Sequence, residues 1–255
     1  MYRKNFKKPS LSIITVVFNG EKYLEQTIIS VIDQTYENIE YIVLDGASSD
    51  MTIEIIKRYE NDITVWKSEK DNGIYDAMNK GIDLATGDFI WFLNAGDVIY
   101  ENLTVEKIFE NYNNKIDVLY GQMQLINEDG LDVSIFKVPK SLTYRDFMYG
   151  MAVSHQAIII KKELISYYNL NYKVVSDHDW IISALKKSKN IIKVDLVFSK
   201  YLLGGFSDKN FYTGWNERLI IMKKQYNRFA YILNLLYFIK AISRKFIYEY
   251  IIKKG

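Results

Sequence analysis

The chain has 255 residues, 49% hydrophobic and 25% charged; this suffices for one large core, or a domain with an appendage, and is a globular composition, not that of a disordered chain. It holds no cysteine and two histidines, which excludes disulfides and thiolate metal centres and argues against a zinc site built on histidine. The net charge of +2 is uneven: residues 211–255 carry nine Lys/Arg and two Asp/Glu, which leaves 24 basic and 29 acidic residues upstream.

Residues 1–10 are basic but are not followed by an apolar core and a small-residue cleavage site, so no secretory signal is expected. Leu11–Phe18 is a continuous apolar, β-branched run and predicts a strand covered on both faces. Residues 21–34 set Leu24, Ile28, Val31 and Ile32 at helical spacing. Ile39–Asp45 predicts a second strand, residues 50–60 a short helix capped by Ser49 or Asp50, and Ile63–Ser68 a third strand. Residues 74–85 carry Ile74, Ala77, Met78, Ile82 and Ala85 on one helical face, and Asp88–Asn94 predicts a fourth strand. Strands alternating with helices predict a mostly parallel α/β sheet flanked by helices.

Beyond Gly121 the pattern changes. Residues 122–138 read as two strands around a turn at Glu128-Asp129-Gly130. Val175–Lys187 reads as a helix, Ile191–Leu203 as a strand, and the chain from Phe211 onward as helix. The longest apolar run, Phe229–Ile239, lies between Arg228 and Lys240 and is shorter than the about 20 residues that cross a bilayer. The chain is read as cytoplasmic.

In open sheets of this type ligands bind beyond the carboxyl ends of the strands. Those ends carry Asn19-Gly20-Glu21, Asp45–Asp50, Asp71-Asn72-Gly73 and Asn94-Ala95-Gly96-Asp97, which together would line a polar cleft. Asp45 is suited either to accept hydrogen bonds from a nucleoside or to open a turn in which Ser48, Ser49 and Asp50 cap the next helix. Neither G-x-G-x-x-G nor a P-loop is present, so the phosphates of any nucleotide need another partner. Mg²⁺ or Mn²⁺ sharing Asp97 with those phosphates is one solution; a turn at Asn94–Asp97 that caps the next helix is the alternative. Asp177 and Asp179 sit at a helix start, where the dipole favours carboxylates. They point to different sides, so at most one serves as a base. His155, ahead of an apolar run, is either a structural residue or a participant in the chemistry.

The blocks SIITVVFNGEKYLEQTIISVIDQTYENIEYIVLDGASSDMT, SEKDNGIYDAMNKGIDLATGDFIWFLNAGD, SHQAIIIKKEL, SDHDW and LLGGFS, in this order, resemble family 2 glycosyltransferases of the GT-A fold. The resemblance is to the bacterial subgroup that builds exopolysaccharide, capsule and lipopolysaccharide, including colanic-acid-type transferases, and it spans about Leu11 to Ser207. It implies a GT-A domain over residues 1–210, with a Rossmann-like nucleotide-binding half and an acceptor-binding half; residues 211–255 match less well and are read from their own residues as a basic amphipathic helical tail. It also implies an inverting transfer of sugar from a nucleotide donor, usually UDP-linked, to a hydroxyl of a glycan or lipid-linked acceptor. Carried over by position, the donor-site residues are Thr15, Asn19, Glu21, Asp45, Asn72, Gly73, Asn79, Lys80, Asn94 and Ala95. Asp177 takes the place of the catalytic aspartate, with His155 and Asp179 on the acceptor side. Asp97 stands in the metal-binding D-x-D region, where Asn94 and Gly96 replace two aspartates; Ser176 replaces the usual Glu before the catalytic aspartate.

Two other functions are compatible with the residues. One is a non-catalytic homologue that binds nucleotide-sugar or glycan. The other is a nucleotidyltransferase, which should carry a basic phosphate loop where this chain has FNGEKYLEQ. The tail suits a membrane interface on the inner face of the cytoplasmic membrane, or packing on the body or on a second subunit. Its basic residues sit among apolar ones, which argues against a nucleic-acid partner.

Overall fold

The computed structural model describes residues 8–205 and 209–254. The basic segment 1–7 and the Phe206-Ser207 pair of the last resemblance block lie outside the described residues.

The first half alternates as the pattern predicts: β1 Leu11–Val17, α1 Leu24–Ile32, β2 Ile39–Asp45, α2 Thr52–Arg58, β3 Val65–Ser68, α3 Ile74–Leu84 and β4 Phe89–Phe92. There follow β5 Val98–Ile99, α4 Thr104–Phe109, β6 Val118–Ile126, β7 Asp132–Phe136, β8 Ile158–Lys161, α5 Ser176–Lys187, β9 Ile191–Leu202, α6 Phe211–Gln225 and α7 Arg228–Lys254. All the residues of β1 are buried, because helices cover both faces of the sheet it centres. β5 and α4 are too short to leave a periodic signal, and the sequence pattern missed them.

The strands form one sheet in the order β3-β2-β1-β4-β8-β6-β9-β5, with β7 paired to β6. β3, β2, β1 and β4 run parallel. β8 pairs antiparallel with both β4 and β6, while β6 and β9 are again parallel. The expectation of a mostly parallel sheet therefore describes the first half, and the second half is mixed. Parallel neighbours need a covering crossover, which α1 to α3 supply in the first half; in the second, β6 returns into β7 through a hairpin at Gly130, whose φ is +76°, and β8 enters between β4 and β6. Chain order runs outward from β1 to β3 and then jumps to β4 on the other side of β1. That reversal opens a crevice at the carboxyl ends of β1 and β4.

The expected helix cap is displaced. The N-cap position of α2 falls on Met51 without a side-chain cap, and Asp50 Oδ1 accepts the Thr52 amide at 3.0 Å.

Gly121 in β6 has no room for a side chain: a Cβ there would lie 2.3 Å from the ring of fully buried Phe198 and 2.7 Å from the Leu196 carbonyl. Gly121→Ala is expected to destabilise the fold by about 1–3 kcal/mol, the usual range for overpacking a core. Urea titration at neutral pH measures it; an unchanged midpoint would mean that Phe198 has space to move.

The C-terminal helices are attached to the body. Leu219, Ile221 and Met222 of α6 are buried, as are Ala230 and Asn234 of α7. Arg218 Nε donates to Asn234 Oδ1 at 2.8 Å, and Asn234 Nδ2 donates to the Met148 carbonyl at 2.9 Å. Trp215 stacks on Phe238. Among the described residues no helix is long and apolar enough to cross a membrane.

Candidate active site

Asp45 ends β2 and is buried. Its carboxylate accepts the Ser48 amide at 3.1 Å, the Ser48 hydroxyl, and the Ser68 hydroxyl at 2.6 Å. The aspartate is thus locked in orientation, and Ser48 serves it rather than capping α2. Asn19, at φ +49°, and Glu21 knit the β1 tip to the β2 tip. Asn19 Oδ1 accepts the Ser49 amide at 2.9 Å and Glu21 Oε2 accepts the Met51 amide at 2.9 Å. Thr15 lies deeper, donating to the Leu93 carbonyl at 2.7 Å beside the Tyr41 hydroxyl, so it fixes β1 against the end of β4.

The block 71–80 edges the same crevice. A Cβ on Gly46 would come within 2.6 Å of Asp71 Oδ2, which places the Asp71 turn against the β2 tip. Asn72 is tied through its amide to Asp76 Oδ2 at 2.9 Å. Gly73 adopts φ +113°, a conformation that favours glycine, and precedes α3. Asn79 spends both ends of its side-chain amide on the backbone of Tyr168, at 3.0 and 2.7 Å. Lys80 pairs with Glu69 at 2.8 Å and donates to the Lys70 carbonyl; the Glu69 hydrogen bond raises its pKa.

The turn Asn94–Asp97 closes on itself through the Asp97 amide and the Asn94 carbonyl, at 2.9 Å. Ala95 donates its amide to the Val16 carbonyl, and Gly96, at φ +102°, donates its own to Thr27 Oγ1 at 3.0 Å. Asp97 is buried, and its Oδ2 accepts from Gln156 Nε2 at 3.0 Å. Burial pushes its pKa up to about 6, against the lowering pull of Gln156 and His155.

A row of three side chains joins this turn to α5. Asn94 Nδ2 meets His155 Nε2 at 3.2 Å, and His155 Nδ1 meets Asp177 Oδ2 at 3.1 Å. With the amide nitrogen of Asn94 facing it, Nε2 accepts. The imidazole proton therefore sits on Nδ1 and is donated to Asp177. Asp177 is buried; its Oδ1 accepts the His178 amide at 2.9 Å, with the Tyr75 hydroxyl at 3.5 Å. Burial opposes its ionisation, but the hydrogen bond from His155, with that from the His178 amide, prevails and holds its pKa below the ordinary value. Asp179 is turned away from this row onto α6, where Lys224 Nζ lies at 3.3 Å and Gln225 donates to it. His178, whose pKa burial lowers to about 4, faces the Phe147 carbonyl.

Sequence reasoning missed Gln156, Ser48, Ser68 and Tyr75 as members of the site. Gln156 is fixed because its carbonyl accepts both Trp91 Nε1 at 3.0 Å and Ser199 Oγ at 2.6 Å. Those partners come from β4 and β9, and no local pattern announces them; only the adjacency of Gln156 to His155 offered a hint.

Among the described residues no group of three or more His, Cys, Asp or Glu is placed to hold a metal ion. The turn offers one carboxylate, Asp97, and one amide oxygen, Asn94 Oδ1, which is buried and has no hydrogen-bond partner. Mg²⁺ and Mn²⁺ complete their shells with substrate phosphates and water. The pair fits a cation that arrives with a diphosphate.

The sequence profile of "Glycosyl transferase family 2" matches residues 12–182. An uncharacterised glycosyltransferase of Mycobacterium tuberculosis is 35% identical over 185 residues, covering 69% of this chain and 69% of that protein. A PGL/p-HBAD biosynthesis glycosyltransferase of the same species is 31% identical over 182 residues, covering 68% and 69%. Among solved structures, S. aureus TarS 1–349 in complex with UDP-GlcNAc superposes with a TM-score of 0.66 at 20% identity, over 84% of this chain and 66% of that one. The mannosyltransferase PcManGT of Pyrobaculum calidifontis, in complex with GDP-Man and Mn²⁺, gives 0.63 at 14% identity, over 86% and 64%. The two structures share the fold, and the chain spans about two thirds of their length.

Proposed function

This chain belongs to glycosyl transferase family 2, and on that premise we propose that it is an inverting glycosyltransferase that moves a sugar from a nucleotide donor of the UDP type to a hydroxyl of a glycan or lipid-linked acceptor. The observation that carries the reading is the row Asn94–His155–Asp177, which links the turn after β4 to the start of α5 at the carboxyl edge of the parallel strands. UDP-GlcNAc in the TarS structure supports a donor of the UDP type, and GDP-Man in the PcManGT structure supports a nucleotide-sugar more broadly.

In this mechanism Asp45, oriented by Ser48 and Ser68, receives the nucleoside. Asp177 takes the proton of the acceptor hydroxyl as that oxygen attacks the anomeric carbon from the face opposite the diphosphate. The anomeric bond to the diphosphate breaks and its electron pair leaves with the diphosphate oxygen. Such a base must lie within hydrogen-bond reach of the hydroxyl. A low pKa makes Asp177 a weak base, so the proton moves late, once bond formation has acidified the oxygen. His155 keeps the carboxylate ionised and aimed, and Asn94 fixes the imidazole tautomer. Asp97 and Asn94 Oδ1 would hold Mg²⁺ or Mn²⁺, which when bound neutralises charge on the departing diphosphate.

The test is a panel of nucleotide-sugars with Mn²⁺, read by thermal shift and by release of nucleoside diphosphate without acceptor. We expect a UDP-sugar to raise Tm and to be hydrolysed slowly, with EDTA stopping the release. Binding without any release would favour the non-catalytic homologue; neither shift nor release from any donor would remove the reading.

The reading extends to a lipid-borne acceptor. Phe229, Ile232, Leu236 and Ile239 of α7 are exposed and recur at helical spacing, and residues 228–254 hold six Lys/Arg and one Glu. An apolar stripe with basic flanks suits an anionic membrane interface, and like charge opposes pairing with a second copy. Changing Phe229 and Leu236 together to Ser should abolish co-sedimentation with anionic vesicles at low salt. Unaltered sedimentation would clear α7 of that role, and a halved mass in solution would assign the stripe to a dimer.

A further inference from the structure

Glu217 lies in α6, beyond the residues matched by the family profile, yet its side chain meets the segment that leads into α5. The buried carboxylate accepts the backbone amides of Lys173 at 2.7 Å, Val174 at 2.9 Å and Val175 at 3.1 Å. Asp177 is the second residue of α5, which has no side-chain cap of its own. Amides that pair within neither helix nor sheet need an acceptor when buried, and a carboxylate is the strongest that a protein offers. The same segment is held from its other side by Tyr75 of α3, whose hydroxyl donates to the Val174 carbonyl at 2.8 Å.

The approach of α6 is itself built in. Gly214 lies one turn before Glu217 on the same helix face, and a Cβ there would come 3.2 Å from Val174 Cγ1 and 3.6 Å from Val175 Cγ1. Further along, Lys224 and Gln225 hold Asp179, and Lys186 Nζ donates to Gln225 Oε1 at 2.8 Å. α6 is fastened along α5 from its start to near its end.

We propose that Glu217 is a positioning residue for the proton-accepting carboxylate: by holding residues 173–175 it sets the start of α5 so that Asp177 meets His155, and it makes α6 part of the active-site framework. The role assigned to Asp177 rests on the function proposed above. Without the Glu217 carboxylate, these amides lose their acceptor and the segment turns outward to hydrate them. Asp177 moves with it, away from His155 and the attacking hydroxyl.

The experiment uses the full chain with Glu217→Gln, which keeps the side chain's size but replaces one acceptor oxygen with a donor, and Glu217→Ala. Ile220→Ser, at an exposed position of the same helix, is the control. Backbone hydrogen exchange and diphosphate release from the nucleotide-sugar, followed against pH, are both read. Exchange should quicken at residues 173–180 and not across the core. Release should fall roughly 10- to 100-fold, the scale expected when a reacting group shifts by about 1 Å, with donor KM unchanged. The loss should fall on kcat at every pH while donor KM holds, a split that general loss of stability would not produce. If Glu217→Ala fails to fold, Glu217→Gln carries the test. Unchanged exchange at 173–180 overturns the proposal, and so does quickened exchange with release left as in the wild type. If the wild type releases diphosphate from no donor, the functional reading fails, and the exchange arm alone decides whether Glu217 holds the segment.

Discussion

Asp177→Asn is expected to lower turnover by about 10²- to 10⁴-fold, the range that a positioned general base supplies, while donor binding survives. The amide has nearly the volume of the carboxylate and can still accept from His155 Nδ1, now at 3.1 Å, so the site keeps its shape and loses its proton acceptor. A stability effect accompanies the change. The pKa of Asp177 is held below its ordinary value of 3.8, so its charged form stabilises the fold. That stabilisation is present above the unfolded value and is lost as the pH falls through the folded one. The variant should therefore unfold more easily than the wild type at neutral pH, and the difference should shrink in strong acid. Rate measurements with saturating donor, alongside thermal shift by the same donor, check both halves. Turnover within a few-fold of wild type would take Asp177 out of the mechanism.

Asp97→Asn should act in opposite directions on stability and on activity. Burial raises this carboxyl from 3.8 to about 6, so the folded protein resists its ionisation. Stability credited to the protonated form is complete below pH 3.8 and is lost as the pH rises through about 6. Ionised Asp97 then weighs against the fold at neutral pH by about 3 kcal/mol, at 1.36 kcal/mol per unit. A neutral amide in its place removes that burden and can still accept from Gln156. Urea midpoints should rise for the variant at pH 7.5 and coincide with wild type near pH 3.5. Diphosphate release should fall about 10²- to 10³-fold, as when one preorganised electrostatic contact is removed from a reacting site. The wild-type kcat/KM for donor should decline as pH drops through about 6, because only the ionised carboxylate can share a cation with the diphosphate. A variant less stable than wild type at pH 7.5 would contradict the buried-charge account, and undiminished release would free Asp97 from the donor site.

The parallel half of the fold was legible because its signals are local. The β1 run announces burial on both faces, α3 shows its apolar face in a single window, and each strand tip carries its polar residues within a few positions. The mixed half was less so. β5 has two residues, and the placement of β8 between β4 and β6 depends on a register that no single segment encodes. The candidate site divides in the same way. Asp45, Asn94, Asp97, His155 and Asp177 stood out as polar residues at strand ends or at a helix start. Asn79 was carried over as a donor-site residue, yet its amide is spent on Tyr168. Asp179 was set on the acceptor side, yet it binds Lys224 and Gln225. Spacing along a chain cannot say which of several nearby carboxylates finds a partner first.

By itself the sequence determined the strand and helix alternation, the polar chemistry at the strand tips, the absence of a glycine phosphate cradle and the charge asymmetry of the tail. All of these arise within a window of a few residues, where backbone propensity and hydrophobic period act. Tertiary structure alone decided that Asn94, His155 and Asp177 form one hydrogen-bonded row, that Gln156 shields Asp97, and that Glu217 of the tail grips the approach to α5. Each of those contacts joins residues separated by 22 to 61 positions. At such separations the packing of the sheet and its helices, not the local chain, sets which groups meet and which charges are stripped of water.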